Sequence, residues 1–440
     1  MMAGVYLPFS ELRELLLWEA VERFEEGYDI DVDEFREEVR AASTISDLVR
    51  LYERLERLEV RRDYGYREPS EWREICLERP GRLPKYVVEL KRSELMDRVL
   101  GAWLSRCAGC MLGKPVEGWE REKIVRALRR AGEYPLRGPY LPLSAFSELG
   151  TGQLAHVAPL TREGLRRAER DDDLDYTVLN LLIYEERGSR FTTEDVAKAW
   201  LRMLPYHLTY TAERAAYRNL VIGLKPPETA TFLNPYREWI GAQIRADLWG
   251  YVSPGDPERA VEYAYRDARL SHTKNGIYGE MFVAALIALA YVHEDPLRLI
   301  MEALRAVPER SRLAEAIKYV VALYKKGLGW EEAVEEILTR YGRYHPVHTV
   351  NNAAIVVAAL LWGEGDFTRT ITYAVLAGLD TDCNGATAGS VVGLMLGASK
   401  LPMEWVRPLN DTLATGLSGL GEVRISRLAE RTVECILASA

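Results

Sequence analysis

Small residues recur at every fourth position in two separate stretches of the chain. Gly385, Gly389, Gly393 and Gly397 form one series, and Gly101, Ser105, Gly109 and Gly113 form the other. In a helix each series makes a bare stripe along one face. Val391, Val392, Leu394, Met395 and Leu396 project from the remaining faces of the first. Four interior glycines cost about 3 to 4 kcal/mol of helix propensity relative to alanine. A second backbone lying close against the stripe is the contact that offsets this cost, and the matched spacing predicts that the two stripes face one another.

The same apolar periodicity organises the rest of the chain. Ser10 to Glu26 and Val32 to Ala42 read as helices, and a third opens at Thr44, with Asp47 three residues on completing a capping pattern. Breakers then gather at Glu68-Pro69, Arg79-Pro80-Gly81 and Leu83-Pro84. They divide a helical extension, residues 1–92, from a larger domain, residues 93–440. Ser93 is expected to cap a helix running to Gly113, because Pro115 disfavours helical geometry at Lys114. Thr193 caps a helix ending before Pro205, and Pro257 suits the first turn of another. Gly276 to Val292 is almost wholly apolar, as expected of a central buried helix. No alternating strand pattern of useful length occurs, so the expected fold class is all-α.

Composition narrows the function classes. The chain has 440 residues and a formal charge of -9, with a pI near 5.5, which argues against a nucleic-acid surface. Arg and Glu interleave in stretches such as LYERLERLEVRRD, the pattern of a solvated helix face. The start of the chain has no basic segment followed by an apolar one, and no stretch approaches the roughly 20 apolar residues of a membrane span. A cytoplasmic protein with no membrane partner is expected. Five cysteines, an odd number, do not make a disulfide framework. Cys107 and Cys110 form a lone C-x-x-C inside a helical pattern and read as buried small residues.

The candidate chemistry is acidic. Asp380 and Asp382 stand just before the second glycine helix, where unpaired N–H groups and the positive end of the macrodipole favour carboxylates. A cap needs one of them, and the sequence offers two. Asp171, Asp172, Asp173 and Asp175 open another apolar helix; carboxylates so crowded have raised pKa values unless a cation joins them. Asp171, Asp172, Asp173, Asp380 and Asp382 are therefore candidate metal ligands, with Asp175 as a substitute. Oxygen donors without clustered His suit Mg²⁺ or Mn²⁺ rather than zinc, and two carboxylate groups could share two ions. Glu117 directly follows the stop of the first glycine helix; by itself it is an ordinary loop residue. The segments Gly241 to Asp247 and Ser271 to Gly276 are more polar than ordinary turns require. No P-loop and no G-x-S-x-G elbow is present.

Taken in order, GAWLSRCAGCMLGKPVEG, RDDDLDYT and GLDTDCNGATAGSVVG resemble the three signature regions of the ADP-ribosylglycohydrolase family. The similarity runs from about Ser93 to the C-terminus. It implies a large orthogonal helical bundle, two Mg²⁺ ions, and hydrolysis of the bond between C1 of ADP-ribose and an acceptor. Asp172 and Asp173 match the paired aspartates of the family's T/S-D-D-T motif, and Asp380 and Asp382 match those of its D-T-D-T motif. Glu117 matches a glutamate acting near the scissile bond, so Glu117 and Asp382 are the expected catalytic residues. Gly241, Ile244 and Arg245 fall in the matching substrate loop, and His272 matches a substrate-side histidine. Departures are Asp171 for Thr or Ser, Leu174 for the second Thr, Cys383 for the residue after D-T-D, and Cys110 for an Asp in the first region. The reading is thus a Mg²⁺-dependent hydrolase of an N- or O-glycosidic bond to ADP-ribose or a nucleoside-like compound, expected as a monomer. The alternative is a noncatalytic member that binds such ligands or serves structurally.

Overall fold

The computed structural model describes residues 7–136 and 138–438 and is helical nearly throughout. Two helices meet at its centre, Arg92–Gly113 and Thr381–Leu396. They run antiparallel along their small-residue stripes. A Cβ built on Gly109 would lie 1.9 Å from the Gly385 carbonyl oxygen, and one on Gly385 would lie 2.4 Å from that of Gly109. Gly389 stands in the same relation to Ser105, at 2.4 Å, and Gly393 to Gly101, at 2.5 Å. Backbone thus rests on backbone, and the glycines' lost propensity is offset by contact that any side chain would prevent.

Around this pair the apolar helices Lys274–Leu289 and Thr349–Gly363 are buried along almost their whole length, which is what their unbroken apolar runs require. The only strands among the described residues are Thr412–Ala414 and Glu422–Arg424, a short antiparallel ribbon. No helix among these residues is long and apolar enough to cross a membrane.

Several helix starts differ from the sequence expectation by one or two residues. The first glycine helix begins at Arg92, with Lys91 rather than Ser93 at its N-cap. Glu94 reaches back to accept the Lys91 N–H at 2.8 Å, which draws the start forward. Thr192, not Thr193, caps the Thr193–Met203 helix, because Asp195 is the residue that closes its box. Thr44 does cap its helix, reciprocally with Asp47.

The extension packs helices Phe9–Glu25, Val32–Ala41 and Ile45–Leu55 around a small core including Leu16, Phe35, Val39, Leu48 and Tyr52, completed by Phe232 and Leu233 of the large domain. Ile75 and Leu83 already belong to the main core. Charge also ties the two parts together. Arg237, buried, reaches Glu19 at 2.9 Å, Glu26 at 2.7 Å and Glu22 at 3.7 Å. Both carboxylate oxygens of Glu22 lack a hydrogen-bond partner, and burial pushes its pKa well up. On the same face, Trp18 meets Trp239 and His345 edge-on, with ring centroids 5.6 and 5.1 Å apart.

Removing the cation from this cluster leaves buried carboxylates facing one another, a change that costs about 3 to 5 kcal/mol. Arg237→Met is therefore expected to lower the melting temperature and to expose the first 60 or so residues to protease. Unchanged melting and an intact digestion pattern would show that the apolar contact with Phe232 and Leu233 suffices.

Candidate metal centre

The glycine contact brings the end of one helix to the beginning of the other. The Thr381 hydroxyl donates to the Gly113 carbonyl at 2.9 Å. After Gly113 a single 3-10 turn, Lys114–Val116, carries the chain to Glu117. On the opposite side Gly378 and Leu379 take positive φ values of 78° and 63° and turn the chain into the D-T-D segment. At Gly378 a Cβ would lie 2.9 Å from the Arg121 nitrogen, so this position requires glycine on both counts. Asn352 holds the far side: its Oδ1 accepts from the Asp380 N–H at 3.2 Å and from Asn384 Nδ2 at 2.8 Å.

The third element is the Asp172–Arg187 helix. Asp171 is its N-cap; Oδ1 accepts the Asp173 N–H at 3.0 Å, and Oδ2 is ion-paired with Lys114 Nζ. Beneath, the fully buried Arg106 donates to the Asp173 carbonyl at 2.6 Å and the Ile244 carbonyl at 2.6 Å, and pairs with Asp247 at 2.9 Å. Asp175 is turned elsewhere: Arg170 holds it at 2.8 Å and the Gly416 N–H at 2.8 Å. It is no substitute for the others.

Three overlapping groups result, in each of which the donor atoms lie within 4.8 Å of one another: Cys110, Asp171 and Asp173; Asp173, Asp382 and Cys383; and Glu117, Asp380 and Asp382. Glu117 is exposed, and Asp380 and Asp382 are buried. Burial, reinforced by neighbouring carboxylates, raises the pKa of Asp380 and pushes those of Asp173 and Asp382 well above the usual range. Asp172, half-buried in the same turn, shifts the same way for the same reasons, burial first and then Asp171. The Glu117 residue is exposed overall, but its carboxyl end is turned toward the cluster, and loss of solvent there, with Asp380 and Asp171, brings it up to about 7. Asp171 alone moves down: burial is the largest influence and would raise it, but the charge and hydrogen bond of Lys114, the Asp173 N–H and Arg170 together outweigh it. Burial and surrounding carboxylates keep the Cys110 and Cys383 thiols protonated.

A hard divalent cation fits these groups. Asp173 Oδ2 and Asp382 Oδ1 are buried without any hydrogen-bond partner, an expensive arrangement unless a cation completes it. Beside the Cys110 and Cys383 sulfurs the donors are carboxylate oxygens, and the all-carboxylate group of Glu117, Asp380 and Asp382 suits a hard divalent ion.

Gly241, Ile244, Arg245 and His272 are brought together, but not at the mouth of this cluster. Arg245 is fully enclosed by Glu213 at 2.6 Å, Asp267 at 3.3 Å and Ser271 at 3.1 Å, with the Trp200 ring 5.1 Å away. A Cβ on Gly241 would lie 2.2 Å from the Glu213 carboxylate. His272 is buried beside them, its Nδ1 2.8 Å from the Ser271 hydroxyl; burial and Arg245 hold it neutral. This layer touches the acidic cluster from behind, through Arg106 on the Ile244 carbonyl. The sequence reading missed Lys114, Arg106 and Asn352. A signal for Asn352 exists, since Asn351-Asn352 is a polar pair opening an otherwise apolar helix.

A family model described as ADP-ribosylglycohydrolase matches residues 91–437. No curated protein matches the chain. Among solved structures, one titled "ADP-ribosylglycohydrolase-related protein complex" is similar with a TM-score of 0.50 and 20% identity, over 79% of this chain and 100% of that one. At that identity the likeness is one of fold.

Proposed function

The chain belongs to the ADP-ribosylglycohydrolase family, and on that premise we propose that it is a Mg²⁺-dependent hydrolase of N- or O-glycosidic bonds to ADP-ribose or a smaller nucleoside-like compound. The observation that supports this reading is the third acidic group: an exposed Glu117 whose donor oxygen lies within 4.8 Å of those of buried Asp380 and Asp382. Asp173, Asp380 and Asp382 are the proposed holders of the ion, which when bound supplies Lewis-acid charge and orients substrate oxygens; Asp172, in the same turn, falls in none of the three donor groups. Mn²⁺ would serve the same donors.

The chain's own residues do the rest. Water attacks C1 of the ribose, the bond from C1 to the acceptor breaks, and the acceptor departs with the bonding electrons and gains a proton. Positive charge develops at C1, and the surrounding carboxylates stabilise it. Glu117 takes the proton from the attacking water.

Glu117→Gln removes the proton acceptor and keeps the shape. It is expected to lower kcat by about 10² to 10⁴ on ADP-ribosyl-arginine, ADP-ribosyl-serine or a simple nucleoside, whichever the wild type cleaves. ADP-ribose affinity should hardly change, because the change removes a transition-state contribution. Full activity in the variant would end this role for Glu117. A wild type that binds metal and ADP-ribose yet cleaves none of these compounds would favour the noncatalytic reading, which draws support from the enclosure of Arg245 and His272.

A further inference from the structure

We propose that this centre holds one divalent ion per chain, not two, because the Lys114 ammonium already stands as a fixed cation on the side of the site formed by Cys110, Asp171 and Asp173. The inference rests on reading the acidic cluster as a metal centre.

The two sides of the cluster are unequal. On one, both oxygens of Asp171 are engaged, Oδ1 by the Asp173 N–H and Oδ2 by Lys114. On the other side, Asp382 Oδ1 is buried and unpartnered, and among the described residues no cation is ion-paired with Asp382. Asp173 is common to both sides: its Oδ2 is unpartnered while its Oδ1 faces Arg106 at 3.5 Å. The Asp171 carboxylate thus already has a protein cation, and that of Asp382 has none.

The backbone of Lys114 is fixed by the fold, and its ammonium is held by the pair with Asp171. Lys114 opens the turn that ends the first glycine helix, followed by Pro115, and that helix is fixed backbone to backbone. A second protein cation, Arg106, lies under the same side, donating to the Asp173 carbonyl and ion-paired with the carboxylates of Asp247 at 2.9 Å and Asp173 at 3.5 Å. A dication placed among Cys110, Asp171 and Asp173 would have to displace Lys114 from Asp171 while facing Arg106 in a poorly screened interior. Cys110 offers only a sulfur there, a poor donor for a hard ion. Asp171 and Lys114 act as a matched pair, in which the extra negative charge of the carboxylate is cancelled inside the protein. Asp171 is then a positioning residue, and the ion belongs with Asp173, Asp380 and Asp382.

The test counts ions. Wild-type protein equilibrated with Mn²⁺, separated from free metal and measured by elemental analysis, should carry one ion per chain and give the six-line spectrum of an isolated Mn²⁺ in electron paramagnetic resonance. Lys114→Met frees Asp171 and should raise the count to two, with a spin-coupled signal. Lys114→Arg keeps the cation and should stay at one. Asp171→Asn, which leaves the ion's own ligands untouched, should also bind one, with affinity within tenfold of the wild type. Two ions on the wild type, or a folded Lys114→Met that still binds one, overturns the proposal. If Lys114→Met does not fold, the wild-type count and Asp171→Asn decide: loss of the ion in Asp171→Asn makes Asp171 a ligand and overturns it. A wild type that binds no Mn²⁺ or Mg²⁺ overturns the metal centre itself, which a count of two would leave standing.

Discussion

Asp382→Asn should cost the protein its metal and its turnover while raising the melting temperature of the metal-free form. The carboxylate is central to the cluster: it belongs to two of the three acidic groups, is 4% exposed and keeps Oδ1 without a partner. Loss of residues that merely orient ligands costs 10- to 100-fold in metal affinity, so loss of a ligand should exceed about 10²-fold. Without metal the sign reverses. Burial and the neighbouring Glu117, Asp171, Asp380 and Asp173 all oppose its charge, and a neutral amide of the same shape removes that opposition. Melting curves with and without saturating Mg²⁺ decide the matter. The wild type should gain stability from the ion, about 2.7 kcal/mol at a hundred times Kd, and the variant should gain none. A Mg²⁺-dependent shift preserved in Asp382→Asn would remove it from the ligand set.

Gly109→Ala is the largest expected effect on the fold. Helix propensity alone predicts a gain of up to about 1 kcal/mol. The added methyl, however, would stand 1.9 Å from the Gly385 carbonyl oxygen and 2.4 Å from its carbon. Those atoms are backbone on a helix that cannot yield locally, so the two central helices must part. Overpacked side chains cost about 1 to 3 kcal/mol, and this backbone collision should exceed 4 kcal/mol, seen as lost soluble yield or a large fall in melting temperature. Gly152→Ala provides the contrast: it lies in the helix Thr151–Val157 with nothing within 4 Å of the added atom and should be neutral or slightly stabilising. Equal melting temperatures for the two variants would mean that the stripes do not bear on one another.

What could be read from the sequence follows from how local each signal is. Glycine at every fourth position, the Thr44 to Asp47 box and the apolar run after Gly276 are each complete within a few turns, and the structure reproduces them with shifts of one or two residues. The order of the three acidic and glycine-rich segments carried the family and the all-α fold. The pairing of Lys114 with Asp171 was not legible, because it joins residues 57 apart through an intervening region rich in Pro and Gly without periodicity. Nor does composition say which charges are inside. Arg237 and Arg245 look like any of the chain's many arginines, yet each is buried among carboxylates contributed by elements far away in sequence. The small core of the extension was equally hidden, since Phe232 and Leu233 come from well beyond the boundary drawn near Ser93.

The contact between the glycine helices also has a mechanical meaning. Glu117 leaves one helix a single turn beyond its end, and Asp380 and Asp382 stand at the start of the other. The two rods touch along their length and are pinned at that end by Thr381. Over the microseconds to milliseconds in which loops and lids open, these three carboxylates travel as one rigid jaw. Amide hydrogens of both rods should exchange only on global unfolding, long after those of the surrounding loops.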